Sequence, residues 1–347
     1  MAKVTLREVF ERELILPYLE ESPLTKAPLW QSGAFSQDGR LNALMASGSN
    51  VFKIPYLYGI DGNLEANYSN TILTDIAMPR GVKATSMIGR VAYMNEGFLE
   101  SRLERYLSTV SPLEHIAKYI NGMWLRQAEL RAVATVVGLR NADSTDKKIT
   151  IDKSAATATA ASKFSYENWL DAEYSLDEKY RGNGVVFMHP EVIAYIRKID
   201  ATAIQTADAT IYIDRPSDMP PLRTYNGRLI IETNEGTKVG TGANAKFVTI
   251  LAGRDSFSAQ MDRSYDDMEL ERTAATGNGG GHTTLWTRAD TLIHPQGYSF
   301  VADESTLTGG TKNEAISASW SDLTKKENWE MVLDAKDIPF RFLVTNI

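Results

Sequence analysis

The chain has 347 residues, no cysteine and a formal net charge of −7. That length predicts about two domains, or one elaborate one, with enough core to stand without staples. The missing thiols exclude disulfides, thiolate metal sites and cysteine nucleophiles, and the acidic balance argues against a surface that grips phosphate backbones, though not against lying beside DNA.

Residues 1–20 are charged throughout and lack the apolar centre of a signal peptide, and no apolar run approaches the ~20 residues that span a bilayer. A soluble chain, cytoplasmic when made, is the expectation. Within that stretch Val4, Val9, Leu14 and Leu16 predict a helix ended by Pro17. From residue 21 to 50 the pattern dissolves. Pro23, Pro28, Gly33, Gly39 and Gly48 punctuate it, and Leu24, Leu29, Trp30, Phe35 and Leu41 follow neither period. An arm with large apolar side chains and no core of its own is expected to lie on another surface. The alternative is a long surface loop packed on its own domain.

Residues 50–93 read as strands and turns. VFKIPYLYGI is rich in β-formers, and its Pro55 confines it to an edge or an irregular strand. The DGN at 61–63 is a turn signal, and apolar clusters return at Ile72-Leu73 and from Val82 to Val91. This predicts a two-stranded excursion, and a lone hairpin is marginal in water, so it wants a partner. Residues 96–107, EGFLESRLERYL, predict a short amphipathic helix with Leu99, Leu103, Tyr106 and Leu107 on one face.

Residues 111–138 predict a long helix. Ser111 and Glu114 have capping-box spacing, Pro112 suits the first helical position, and Gly138 suits the residue that ends many helices. It would span roughly 39 Å. Leu113, Ile116, Ile120, Met123 and Trp124 form its stripe, with Val133, Val136 and Val137 near the end. The low-complexity SAATATAAS at 154–162 predicts a loop or weak strand. Residues 166–180 predict a helix, VVFM at 185–188 a buried strand, and His189-Pro190 the opening of a further helix. Strand signals recur at 211–213, at 228–232 after the turn pair Asn226-Gly227, at 247–251 and at 290–294. That order indicates an α+β or α/β unit over about 166–253. The terminal IPFRFLVTNI is a strand with no partner nearby in sequence, expected to join a sheet laid down earlier.

Residues that could carry chemistry are few. His189 and His294 each precede proline at the end of a strand run, which marks a turn better than a ligand pair. GNGGGH at 277–282 lacks a P-loop lysine and dinucleotide spacing, and reads as a loop tip. Asp262, Asp266, Asp267, Glu269 and Glu271 miss the EF-hand spacing and read as a solvated strand face beside Met268 and Leu270. No GxSxG elbow or HExxH helix is present. A carboxylate-pair hydrolase is the remaining enzyme alternative, with no residue pair to recommend it, and no cofactor or metal is expected.

The order of these segments resembles the major capsid proteins of tailed bacteriophages, which share the Hong Kong 97 fold. NVFKIPYLYGIDG and the strands to VAYMNEGFLE resemble the family's extended loop over a neighbouring subunit. SPLEHIAKYINGMWLRQAELRAVATVVGLRN is similar to the spine helix of its peripheral domain, and GVVFMHPEVIAYIRKID to the strand and helix of its axial domain. RTYNGRLIIETN, KFVTILAGRDSFS, TRADTLIHPQGYSF and NWEMVLDAKDIPFRFLVTNI resemble the later strands and closing segments.

The resemblance implies an α+β fold with an N-terminal arm at 1–49 and an extended β-hairpin loop at 50–95. A peripheral domain at 96–163 would carry a spine helix at 112–137. An axial domain at 164–257, returning peripheral strands at 258–330 and a C-terminal strand at 331–347 would complete it. It implies a structural subunit, not an enzyme, that self-assembles as pentamers and hexamers into an icosahedral shell around double-stranded DNA. DNA would lie nearby without sequence-specific binding. A separate scaffolding protein, a portal and a decoration protein would be further partners, and no membrane is involved. The virion, assembled in the bacterial host's cytoplasm, would be its place. Leu29, Trp30, Phe35, Lys53, Tyr56, Tyr58 and Lys83 are the expected intersubunit contacts. Some family members crosslink a loop lysine to a neighbour's asparagine, and Lys53 and Lys83 lie in that region without a motif that carries the chemistry over. An encapsulin-like cellular compartment built on the same fold is the alternative.

Overall fold

The computed structural model describes residues 27–36, 41, 45, 50–59, 65–102, 112–182, 184–200, 202–206, 223–263, 268–309 and 317–347. The expected helix within 1–20, the strand at 211–213, Ser111, Asp266 and Asp267 lie outside them.

The first described strands are β1 (Phe35–Ser36), β2 (Val51–Leu57) and β3 (Ala84–Ser101), and the long helix α1 (Pro112–Ala142) comes after them. After β4 (Thr150–Asp152) come α2 (Tyr166–Tyr174), β5 (Val185–Met188) and α3 (Pro190–Ile199). Next are β6 (Ile204–Thr206), β7 (Arg223–Tyr225), β8 (Arg228–Glu232), β9 (Lys238–Val239) and β10 (Lys246–Ala252). The remainder forms β11 (Phe257–Asp262), β12 (Met268–Thr273), β13 (His282–Pro295), β14 (Tyr298–Phe300), α4 (Trp320–Thr324), β15 (Trp329–Met331) and β16 (Phe340–Thr345).

Two larger sheets organise the described residues. One runs β1-β11-β13-β3-β2, with β12 also paired to β13; the other runs β4-β16-β10-β5-β8-β7-β6, with β9 on β10. The second sheet is covered on both faces, which explains why VVFM is buried along its whole length. Val185 and Phe187 face a core shared with Val136 and Leu139 of α1, whereas Val186 and Met188 face Trp169 of α2 and Val192, Ile193 and Ile196 of α3. The terminal strand joins that sheet as expected: β16 pairs antiparallel with β10 from Ala252↔Phe340 to Phe247↔Thr345, and parallel with β4. Asn226 and Gly227 both take positive φ, 47° and 82°, which is what a tight hairpin between β7 and β8 demands.

Helix α1 spans the two sheets. Its first half lays Ile116, Ile120, Met123 and Trp124 against Met94, Phe98, Leu285 and Ala289 of the first sheet. Its second half enters the core of the other. It starts at Pro112 as expected, but continues to Ala142 instead of stopping at 137. Gly138 is therefore no helix end. A Cβ there would lie 1.9 Å from the Leu323 carbonyl oxygen and 2.6 Å from Trp329 Nε1, so the residue lets α4 approach the helix backbone.

Residues 96–101 are strand, not the start of the expected helix. β3 runs on to Ser101, held by β13 in a register from Leu292↔Val91 to His282↔Ser101. Phe98 turns toward α1, whereas Leu99 faces outward and is exposed. Pairing with a strand some 180 residues later overrides the local helical spacing. The helix expected over 166–180 likewise ends at Tyr174, followed by a 3-10 turn at Glu178–Tyr180. There Arg228 and Glu173 form a buried two-bond pair at 2.7 and 2.9 Å, and Arg228 also donates to the Tyr180 carbonyl.

Candidate assembly surfaces

Residues 27–36 show what became of the apolar arm. Leu29 and Phe35 are buried in the chain's own core, and the Phe35 ring stacks on Phe257 at 4.5 Å. Trp30 packs half-buried against the same core. Two backbone N–H groups fix the segment to α1, those of Leu29 and Trp30, donating to the two carboxylate oxygens of Glu129 at 3.1 and 2.9 Å. Burial raises the Glu129 pKa above the usual carboxylate range, and those two hydrogen bonds draw it back down. The expectation that this part of the arm lies on foreign surface is thus corrected: it is the alternative, a segment packed on its own fold, that the structure realises. Apolar side chains this large find a core wherever one is within reach.

The hairpin forms as read. β2 pairs antiparallel with β3 from Val51↔Arg90 to Leu57↔Ala84, and Pro55 sits on the edge strand of the sheet, where its missing N–H breaks no ladder. Phe52 turns inward onto Val91, Leu292, Leu41 and Met45. Lys53 and Lys83 are exposed, and Tyr56 and Tyr58 meet edge to face at 5.4 Å on the hairpin's half-buried side. Tyr56 lies near Lys179 and Asp337, which are themselves paired at 3.0 Å. The outer end of the paired stalk is thus set against the turns that precede β5 and β16.

Beyond the base, the excursion carries apolar side chains that its own fold does not cover. Leu73 is 100% exposed, Met78 91%, Ile76 83% and Tyr68 77%. The contacts expected here from sequence, Lys53, Tyr56, Tyr58 and Lys83, lie only at the ends of this excursion. Its tip was signalled only by the apolar cluster Ile72-Leu73 in a turn-rich stretch. On β12 Met268 and Leu270 are also exposed, and Leu99 of β3 is exposed on the opposite face of that sheet. The acids of β12 are tied to neighbours: Glu269 to Arg288 at 2.9 Å, Glu271 to Trp286 Nε1 at 2.8 Å.

The two His-Pro pairs take structural places. His189 caps α3, its Nδ1 accepting the Glu191 N–H at 3.2 Å, with Pro190 in the first helical position. His294 is buried at the end of β13 against Phe52, and burial pushes it down to about 4. GNGGGH forms the turn between β12 and β13, with positive φ at Gly277, Asn278, Gly279 and Gly281. Among the described residues no three His, Asp or Glu side chains gather as a metal site, and no helix is long and apolar enough to cross a membrane.

No family model matches the chain. A curated relative does: the major capsid protein of Bacillus phage SPP1 is 25% identical over 342 residues, 97% of either chain. Among solved structures, the capsid of cyanophage Pam1 aligns over 100% of this chain and 99% of its own, with a TM-score of 0.58 and 10% identity. The capsid of Ralstonia phage GP4 aligns over 72% and 80%, with a TM-score of 0.52 and 8% identity. Along its whole length the chain is thus similar to a phage major capsid protein, and its fold is that of phage capsid subunits.

Proposed function

We propose that the chain works as a repeating wall element of a phage head, associating with copies of itself in fivefold and sixfold rings that close into an icosahedral shell around double-stranded DNA. The observation that carries this is the excursion at 65–83 beyond the paired stalk, where a row of apolar side chains headed by the fully exposed Leu73 is left uncovered. Exposed apolar area of this kind is stable in water when a partner covers it, and a closed lattice of identical copies supplies one partner per copy. The role is structural, and Lys53, Tyr56, Tyr58 and Lys83 sit on the stalk, where they would meet the neighbour. A net charge of −7 suits a container that must release DNA. The relatives above are phage capsid proteins, which favours a head over a cellular compartment. A scaffolding protein, a portal and a decoration protein would complete assembly in the bacterial cytoplasm.

Sedimentation of the expressed chain, alone and with its phage's scaffolding protein, tests this. Fast-sedimenting particles that protect DNA from nuclease during infection are expected. Particles holding a protein cargo and no genome would support the encapsulin-like reading instead.

A further inference from the structure

A chamber of about 20 Å3, room for one small particle, lies where α1 meets β14, α4 and β15. Its apolar walls come from Ile293, Phe300, Leu323 and Trp329, and its charged and hydroxyl groups from Arg90 of β3 and Arg131 and Thr135 of α1. Arg131 and Thr135 stand four residues apart and so share one helix face. They are 7% and 1% exposed. One guanidinium N–H of Arg131, on Nη1, donates to the Ala318 carbonyl at 2.9 Å, and no carboxylate pairs with the group among the described residues. Burial pushes Arg131 down to about 10, so it stays charged at neutral pH. The exposed Glu96 lines a separate, open cleft that also reaches Arg131, and makes no ion pair with it. Arg90 is matched by Glu304 at 3.2 Å. The Thr135 hydroxyl is buried without a hydrogen-bond partner among the described residues. Trp329 Nε1 is already engaged, donating to the Leu323 carbonyl at 2.7 Å.

A guanidinium held in a low-dielectric site without a counter-charge is costly. Arg131 also keeps N–H donors to spare, since a guanidinium carries five and one is used. The groups left unmatched at the chamber are thus donors under a net positive charge. A water there would accept their bonds, but its own two protons would find only the Thr135 oxygen, and a buried water normally keeps two to four partners. A monatomic anion only accepts, and so asks for nothing that the chamber lacks. The volume is below the ~30 Å3 share of one liquid water, which excludes phosphate, sulfate and carboxylates. We propose that this chamber binds one halide ion, chloride in ordinary solutions, held by the Arg131 guanidinium and the Thr135 hydroxyl, with Arg90 adding charge from β3. The ion neutralises the joint that α1 makes with β14, α4 and β15. The site belongs to the single chain and stands whether or not copies assemble.

Thermal melting of the full-length, unassembled chain tests it. The chain is dialysed into potassium gluconate, which is then replaced stepwise by chloride or bromide at constant ionic strength. The midpoint is expected to rise along a saturating curve with either halide, as for a ligand held by the folded state alone, and to stay level in gluconate throughout. Thr135→Val, which keeps the shape and removes the donor, is expected to weaken the apparent chloride constant by about tenfold. Arg131→Met is expected to abolish the dependence. Equal midpoints in chloride and gluconate overturn the proposal and leave an ordered water only. A chloride dependence that Thr135→Val retains in full also overturns it, since the ion then binds elsewhere. If Arg131→Met fails to fold, Thr135→Val decides by itself.

Discussion

Gly138 sits where helix propensity and packing pull in opposite directions. A methyl group there would gain the helix about 1 kcal/mol on propensity, yet it would meet the Leu323 carbonyl at 1.9 Å, and backbone does not swing aside as a side-chain tip can. Packing wins, and Gly138→Ala is expected to destabilise by about 1–3 kcal/mol. A urea midpoint that stays level or rises would show that α4 can move away without loss. His294 sets a pH limit. Its ring is neutral in the folded chain, with a pKa near 4, against 6.5 when solvated. Between those values the unfolded chain binds the extra proton, so stability rises with pH across that window. The contribution is complete above about pH 6.5 and is lost as pH falls toward 4, up to about 3 kcal/mol. His294→Leu is expected to flatten that part of the free chain's pH profile. A profile that keeps its slope would place the titration elsewhere. Neither role is visible in sequence, since a glycine after an apolar run and a His-Pro pair both read as punctuation until a distant element is set against them.

Elements were legible where one local signal sufficed. The stripe and Pro112 marked α1, Pro55 marked an edge strand, and unbroken VVFM marked a strand covered on both faces. They were illegible where a remote partner decides, as in β3, whose last residues follow a helical spacing but are claimed by β13. The arm was misread for a similar reason: its core lies on α1, about 100 residues on. That attachment is testable. Glu129→Ala leaves the Leu29 and Trp30 N–H groups without their acceptor in a mostly buried place. The expected loss is about 2–4 kcal/mol, with protease cutting near residue 30 at much lower denaturant. Unchanged cutting would show that apolar contacts alone hold the segment. The excursion predicts the reverse. Leu73→Ser, Ile76→Ser and Met78→Ser together touch no core, so the free chain's melting is expected to stay within about 0.5 kcal/mol of wild type while shell yield collapses. A matching loss in both would mean the excursion folds back on its own subunit.

At the scale of the whole molecule, the two sheets and the helix that spans them bury the cores of the described residues and leave several apolar side chains uncovered. Among them are those of the excursion at 65–83, which follows a paired stalk that itself packs on the body. Stability would then be divided: the body stands on its own core, and the excursion gains order when a neighbour covers it, so the assembled state is the more stable by mass action. The most direct test is electron microscopy of the purified full-length chain, assembled alone or with a scaffolding protein. Closed shells with rings of five and six subunits are expected, each excursion lying on the adjacent copy. A chain that remains a compact monomer under every assembly condition would contradict the account.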